Sequence, residues 1–298
     1  MSESKVNTTK FNSWILAARP KTLLAAFVPV LVGSALAISI NNFYPAYSIA
    51  ALFCAVLIQI GTNFTNDLYD HLKGADSKKR KGPQRALASG LISVKEMKRG
   101  ITFTFGLSFL VGLYLVYSAG WIILVIGIIS IAAGFVYTAG PFPLAYNGLG
   151  DVFVFIFFGV VGTMGTYYLH TTEFTFLSFL ISLSVGAVTT NILVVNNFRD
   201  IDEDQAAGKN TLAVFIGRSF TRLEFILLLV LCYLVLIILF TEYNFSYWIF
   251  LPLITLPFAA LLIKMLFKLS GTELNKTLEL SAKFSGLFGL LFAAGLII

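Results

Sequence analysis

The stretch FTFLSFLISLSVGAVTTNILVVNNFRDIDED, Phe174 to Asp204, decides what kind of molecule this is. From Phe174 to Phe198 it runs 25 residues without a charge. At about 1.5 Å per residue, a helix of that length crosses a bilayer. The run lacks the period-2 alternation of a barrel strand, so a helix is its reading. It ends in a polar cluster, Asn196-Asn197-Phe198-Arg199-Asp200-Ile201-Asp202-Glu203-Asp204. On a helix Asn197, Asp200 and Asp204 fall at i, i+3 and i+7, on one face.

An earlier part of the chain repeats the pattern. Asn63-Phe-Thr-Asn66-Asp67-Leu-Tyr-Asp70 also closes a long apolar run, with Asn63, Asn66/Asp67 and Asp70 on one helical face. Each cluster is followed by a basic, glycine-containing loop: Gly82-Pro83-Gln84-Arg85 after the first, Gly208-Lys209-Asn210-Thr211 after the second.

The whole composition agrees with membrane residence. The 298 residues are 57% hydrophobic and 12% charged, with a mean hydropathy of +0.85. Soluble chains carry roughly 25% charge. Apolar runs begin near Thr22, Ala46, Ile101, Ile122, Val152, Phe174, Leu223, Tyr247 and Leu278, which predicts about nine transmembrane helices. The fold expected is all-α and polytopic, with a central cavity, and residues 1–298 form a single membrane domain. Cytoplasmic loops at about 67–100 and 199–221 are expected to cap it, since long loops in a compact protein are more often functional than spacers.

Orientation follows from the charges. The short connections Asn41–Pro45, Ser118–Gly120, His170–Glu173 and Thr241–Ser246 hold no Lys or Arg, and all 21 basic residues fall on the other side. The positive-inside rule makes that side cytoplasmic, with the N-terminus inside and both aspartate clusters facing the cytoplasm. The net charge of +6 therefore reflects topology and anionic lipid or an anionic substrate, and nucleic acid is not an expected partner. Cys54 and Cys232 lie inside apolar runs, which argues against a disulfide framework. Met1–Arg19 is polar with only a short apolar stretch, so the first span is expected to serve as the start signal.

Stacked carboxylates on one helix face repel each other, and an aspartate at mid-span costs about 2.5–3.5 kcal/mol on the insertion scale. Two such clusters call for counter-charge. Mg²⁺ fits, because it takes one or two carboxylates together with phosphate and water; zinc and iron fit poorly without nearby His or Cys. A paired divalent-metal site that holds a diphosphate is the chemistry these residues point to. Arg19 and Lys21 at the mouth of the first span, Arg85 and Lys209 are candidates to clamp a phosphoryl group. Asp202 and Glu203 read as solvent-facing, as does the run Lys78–Lys81.

At these residues the chain resembles the UbiA-type intramembrane prenyltransferases. Their two motifs stand here as Asn66-Asp67-x-x-Asp70 and Asp200-x-x-x-Asp204. The usual third aspartate of the first motif is replaced by Gly74, with Asp76 the nearest substitute. That departure resembles the 1,4-dihydroxy-2-naphthoate polyprenyltransferase branch of menaquinone synthesis. Ala18-Arg19-Pro20-Lys21-Thr22, Gly82–Leu87 and the segment Tyr137–Asp151 resemble the same branch.

The resemblance implies transfer of a polyprenyl group from its diphosphate to 1,4-dihydroxy-2-naphthoate with loss of CO₂, in a bacterial-type plasma membrane. It implies Mg²⁺ held by Asp67, Asp70, Asp200 and Asp204, with Asp76 a further candidate ligand. Substrate contacts are expected from Asn63, Asn66, Lys21, Arg85, Asn196, Asn197, Arg199 and Lys209. Tyr137 and Tyr146 are candidates to face the allylic cation; the sequence names no general base, Asp151 and Tyr146 being candidates and Asp151 reading equally as a helix-start residue beside Gly148 and Gly150. The prenyl tail would lie between helices, open to lipid. Two alternatives stay open: another acceptor such as 4-hydroxybenzoate, or a cation-coupled transporter, which would place its carboxylates nearer the bilayer midplane.

Overall fold

The computed structural model describes residues 9–74, 82 and 84–298. It is a helical bundle. A short helix α1 (Lys10–Ala18) leads into α2 (Pro20–Ser39), α3 (Pro45–Leu72), α4 (Val94–Ala119) and α5 (Trp121–Val136). Then follow α6 (Gly150–Thr171), α7 (Phe176–Ala206), α8 (Leu212–Tyr243), α9 (Tyr247–Lys268) and α10 (Gly271–Ile297). Eight of these are long and apolar enough to cross a membrane, and α5 is a shorter apolar helix of 16 residues. Together they are the nine spans read from the apolar runs. Helix α1 is an addition: its apolar stretch is too short to register as a span.

Local chemistry explains the boundaries. At the start of α4 the Ser93 Oγ accepts from the Glu96 N–H, and Glu96 Oε2 accepts from the Ser93 N–H at 2.8 Å. This reciprocal cap satisfies two donors that the first turn leaves unpaired. Lys10 Nζ donates to the same Glu96 oxygen at 2.8 Å, which ties α1 to α4. Thr175 caps α7 and Thr211 caps α8. Arg19 joins α1 to α2 with a left-handed backbone, φ 51°, uncommon for a non-glycine residue and sustained by its surroundings.

The most enclosed element is α7. Twenty-one of its 31 residues are buried, whereas only Ile123 is buried in α5. Thus α7 is the axis of the bundle and α5 a peripheral wall. A large apolar core joins α2 and α7 to α8, α9 and α10. A second joins α1, α3 and α4 to the loop Ala86–Ile92. Where α6 crosses α7 the backbones nearly touch: a Cβ on Gly159 would stand 2.5 Å from Gly186 Cα. Close approach through glycine is a common way to pack helices in lipid, where hydrophobicity gives no net drive. Over Phe155–Val161 helix α6 widens into a π-helical stretch, a feature frequent beside functional sites.

The alternation of spans puts the C-terminal ends of α3 and α7 on the same side of the bundle. Both aspartate clusters therefore sit at one end of the bundle, at the mouth of a cavity between its two halves.

Candidate active site

One cavity of about 390 Å³ takes in both clusters. Its polar end is lined by Arg19, Asn63, Asn66, Asp70, Arg85, Tyr137, Asn196, Asn197, Asp200, Asp204 and Lys209. From there it continues along apolar side chains of α2 to α7, as far as Ala51, Leu115, Ile123 and Leu169. A polar head and a long apolar body describe the shape of the molecule that fits.

The first cluster is held from three directions. Asp67 and Asp70 are 1% and 3% exposed. The loop after α3 turns back on Gly90, at φ 69°, so that the Ala86 and Leu87 amides hydrogen-bond to Asp67. Arg85 Nη2 donates to Asp70 Oδ2 at 2.5 Å. From the loop after α5, the Tyr146 hydroxyl donates to Asp70 Oδ1 at 2.8 Å. Asn66 accepts a hydrogen bond from the Thr138 hydroxyl. Asn63 donates to the Ala18 carbonyl at 2.9 Å and to Thr22 Oγ1 at 3.1 Å. It therefore braces the α1–α2 junction from which Arg19 reaches the cavity.

The second cluster is built on one buried cation. Arg199 is 1% exposed, and its Nε and Nη2 donate to the two Asp200 oxygens, each at 2.6 Å. Two more of its donors go to Asn196 Oδ1 at 2.9 Å and Asn275 Oδ1 at 2.8 Å. Planar, bidentate pairing is what a guanidinium does best. Lys209 Nζ stands 3.5 Å from Asp204 Oδ1. Asn197 Nδ2 donates to Asp151 on α6, 3.3 Å from Oδ2.

The two clusters are joined through Tyr146. The Asn210 N–H donates to its carbonyl at 3.2 Å, and Lys209 and Lys73 stand 5.7 Å and 4.4 Å from its ring centroid. Its aromatic face is thus occupied by two ammonium groups. Lys73 also donates to the Thr138 carbonyl at 2.9 Å. Desolvation lowers its pKa, with the Asp70 charge opposing. Tyr137 lines the cavity beside both clusters, and its phenol is pushed well up, by burial first and then by the Asp151, Asp70 and Asp204 carboxylates. It keeps its proton and so remains a hydrogen-bond donor.

Among the residues read from the sequence, Asp67, Tyr146 and Arg199 stand behind the cavity lining, and Lys21 lies away from it altogether. It is exposed on the bundle surface and pairs with Glu279 at 2.7 Å; Arg19, two residues earlier, lines the cavity. Arg199 acts from behind Asp200 and does not line it. Asp76 and Lys78–Lys81 lie outside the described residues. Asp202 is exposed and meets Arg218 at 2.9 Å, while Glu203 reaches the cavity wall. Thr138 lies in the segment Tyr137–Asp151 singled out above, but nothing local in the sequence marks it as the partner of Asn66. Lys73 was readable in principle, three residues after Asp70 and one helical turn on.

A divalent cation suits these residues. Asp67 Oδ1 and Asp204 Oδ2 are buried and, among the described residues, find no hydrogen-bond partner, and such acceptors call for a ligand. Among the described residues no three Asp, Glu, His or Cys converge as a closed cage. Mg²⁺ takes one or two carboxylates and completes its shell with substrate phosphate and water.

Fold and site together define an intramembrane enzyme for an amphipathic anionic substrate. The chain belongs to the UbiA prenyltransferase family, whose pattern it matches over residues 26–287. It is 36% identical to the 1,4-dihydroxy-2-naphthoate octaprenyltransferase of Haemophilus influenzae, covering 100% of both chains. The Bacillus subtilis protein of the same name is 30% identical, over 94% of this chain and 90% of its own. Human UbiA prenyltransferase domain-containing protein 1 is 31% identical, over 97% and 84% respectively. The fold matches a UbiA homologue from Aeropyrum pernix with a TM-score of 0.69 at 15% identity, covering 92% of this chain and 96% of that one. A UbiA homologue from Archaeoglobus fulgidus, solved bound to GPP and Mg²⁺, matches at 0.68 with 17% identity, over 94% and 99%.

Proposed function

We propose that this protein transfers a polyprenyl group from polyprenyl diphosphate to 1,4-dihydroxy-2-naphthoate, releasing diphosphate and CO₂ and forming demethylmenaquinol. The observation that carries the reading is the single cavity with both aspartate clusters at its polar end and an apolar length beyond. Relatives named for the naphthoate reaction, similar over the whole chain, support this acceptor.

Asp67, Asp70, Asp200 and Asp204 would hold Mg²⁺. When bound, the cation offsets the charge of the diphosphate as it leaves. Arg85 and Lys209 serve the same end from the protein side, and Arg19 closes the mouth. Arg199 fixes Asp200, Tyr146 fixes Asp70, and the asparagines orient the groups around them. Tyr137 presents its ring to the electron-poor isoprenoid carbon; Tyr146, with its face taken by Lys73 and Lys209, registers the two clusters instead.

The C1–O bond breaks with its electron pair leaving on the diphosphate. A ring carbon supplies the pair for the new C–C bond. Loss of the ring carboxylate as CO₂ returns its bonding pair to the ring, so the sum needs no oxidant and no net proton. The apolar cavity excludes water from the allylic cation. The protein works in a bacterial-type plasma membrane with its clusters on the cytoplasmic side, as the basic residues at that end support.

The test is transfer by purified protein in lipid, with Mg²⁺, a polyprenyl diphosphate series and 1,4-dihydroxy-2-naphthoate, against 4-hydroxybenzoate as competing acceptor. Metal-dependent naphthoate product, lost in Asp67→Ala and Asp200→Ala, is expected. Product from 4-hydroxybenzoate alone would overturn the acceptor.

A further inference from the structure

The cavity holds a fifth aspartate that neither cluster uses. Asp151 opens α6, is 4% exposed and lines the cavity wall. Its carboxylate takes its own backbone N–H and the Asn197 carboxamide, whose Nδ2 stands 3.3 Å from Oδ2 and 3.5 Å from Oδ1.

The other four differ in kind. Asp70, Asp200 and Asp204 each face a lysine or arginine, and Asp67 takes two loop amides. No lysine or arginine among the described residues reaches ion-pair distance of Asp151. A buried carboxylate met only by neutral amides, with the Lys209 charge acting from beyond ion-pair distance, is expensive to keep. It has spare acceptor capacity directed at whatever fills the cavity.

Position narrows the occupant. On α7, Asn197 precedes Asp200 by three residues and Asp204 by seven, about 4.5 Å and 10.5 Å along the axis. The Asp151–Asn197 pair therefore lies a turn or two deeper than the diphosphate end, where the apolar body of the cavity begins. Tyr137 Oη stands beside the same spot, 3.1 Å from where a Cβ on Gly150 would be, and Leu193 follows at 3.6 Å. Tyr137, Leu193 and Asp151 all line the cavity, an aromatic, an aliphatic side chain and a hydrogen-bond acceptor of the kinds that suit a flat, hydroxylated ring.

We propose that Asp151, held in place by Asn197, accepts the hydrogen bond of a ring hydroxyl on the aromatic acceptor and so sets its ring carbon against the donor. The inference rests on the prenyl-transfer reading above and adds the residue that recognises the acceptor. A hydrogen bond to a carboxylate contributes about 1.5–3 kcal/mol, or 10- to 150-fold.

The experiment measures acceptor and donor kinetics separately for wild type, Asp151→Asn and Asp151→Ala, with the hydroxylated acceptor and its O-methyl ether. Acceptor kcat/KM should fall about tenfold in Asp151→Asn and about 100-fold in Asp151→Ala. The KM for the prenyl diphosphate should stay within about threefold. Wild type should lose a similar factor on the ether, and the two losses should not multiply in Asp151→Ala. A matching rise in donor KM, fully multiplicative losses, or wild-type behaviour in Asp151→Ala would overturn the proposal. Should Asp151→Ala fail to fold, Asp151→Asn faces the same three criteria. If wild type prenylates 4-hydroxybenzoate and not the naphthoate, the acceptor reading fails, and the Asp151 comparison is run with 4-hydroxybenzoate and its ether. Wild type inactive on every hydroxylated ring overturns both.

Discussion

The Tyr146 hydroxyl donates to Asp70 Oδ1 at 2.8 Å, and its carbonyl accepts from the Asn210 N–H at 3.2 Å. One residue of the loop between α5 and α6 is thus bonded both to the first aspartate cluster and to the loop that follows the second. The loop reaches this position by a tight turn at Gly148, φ 73°, where a Cβ would also stand 2.9 Å from the Phe215 ring. The relative setting of the two clusters depends on side chains that belong to neither.

Removal of that hydroxyl gives a direct check. In Tyr146→Phe the ring stays beneath Lys73 and Lys209, while Asp70 loses one hydrogen bond and keeps the one from Arg85. Loss of a hydrogen bond to a charged group is about 1.5–2 kcal/mol here, a 10- to 30-fold drop in kcat/KM. Steady-state prenyl transfer measures it. An unchanged rate would mean that Tyr146 does not register the clusters.

The aspartates are expected to separate by phenotype. Asp67 and Asp204 carry the buried oxygens without partners, so Asp67→Asn and Asp204→Asn should lose about 100-fold or more in transfer with little loss of thermal stability. Asp200 neutralises the buried Arg199. Asp200→Asn should therefore lose activity and also about 3 kcal/mol of stability, the penalty of a broken buried pair. Thermal unfolding in detergent with matched activity assays distinguishes them. Equal melting shifts in all three variants would contradict the assignment.

Lys73 predicts an alkaline limit. Desolvation places its folded pKa below the usual 10.5. Between the folded and unfolded values the unfolded chain binds more protons, so this residue's contribution to stability rises with pH through that window. Activity should fall through the same window, because the ammonium over the Tyr146 ring is lost. The kcat/KM profile should therefore bend below pH 10.5 while the melting temperature does not fall in step, and Lys73→Arg should move the bend upward, since arginine stays charged. A bend unmoved in Lys73→Arg would assign it elsewhere.

Much of this was legible in the sequence because the signals are local. Uncharged runs of spanning length give helices, sorted basic residues give alternation, and i, i+3, i+7 spacing puts Asn197, Asp200 and Asp204 on one face. What was not legible depends on long-range meeting. Lys21 and Arg19 read alike in Ala18-Arg19-Pro20-Lys21, and only the left-handed backbone at Arg19 turns one inward and the other toward Glu279. Thr138 and Asn66 are 72 residues apart and meet through a loop crossing. Asp151 could be read as a helix-start residue; its partner Asn197, 46 positions on, is what identifies it.

The far end of the cavity sets the last expectation. Gly112 and Gly127 line it, and a Cβ built on either meets no atom within 4 Å. Gly127 is ten residues back from Tyr137, about 15 Å along α5, well beyond the reach of a diphosphate and its first isoprene. A side chain there would occupy the path of the tail without touching the head-group residues. Overfilling such a space costs about 1–3 kcal/mol, so Gly127→Phe should raise the KM of a long polyprenyl diphosphate about tenfold or more. The KM of a two-isoprene donor should be nearly unchanged. Chain-length profiles of wild type and variant, measured in the same lipid, test this. Equal impairment of short and long donors would show that the tail takes another route out of the cavity, or that the substitution disturbs the head-group site.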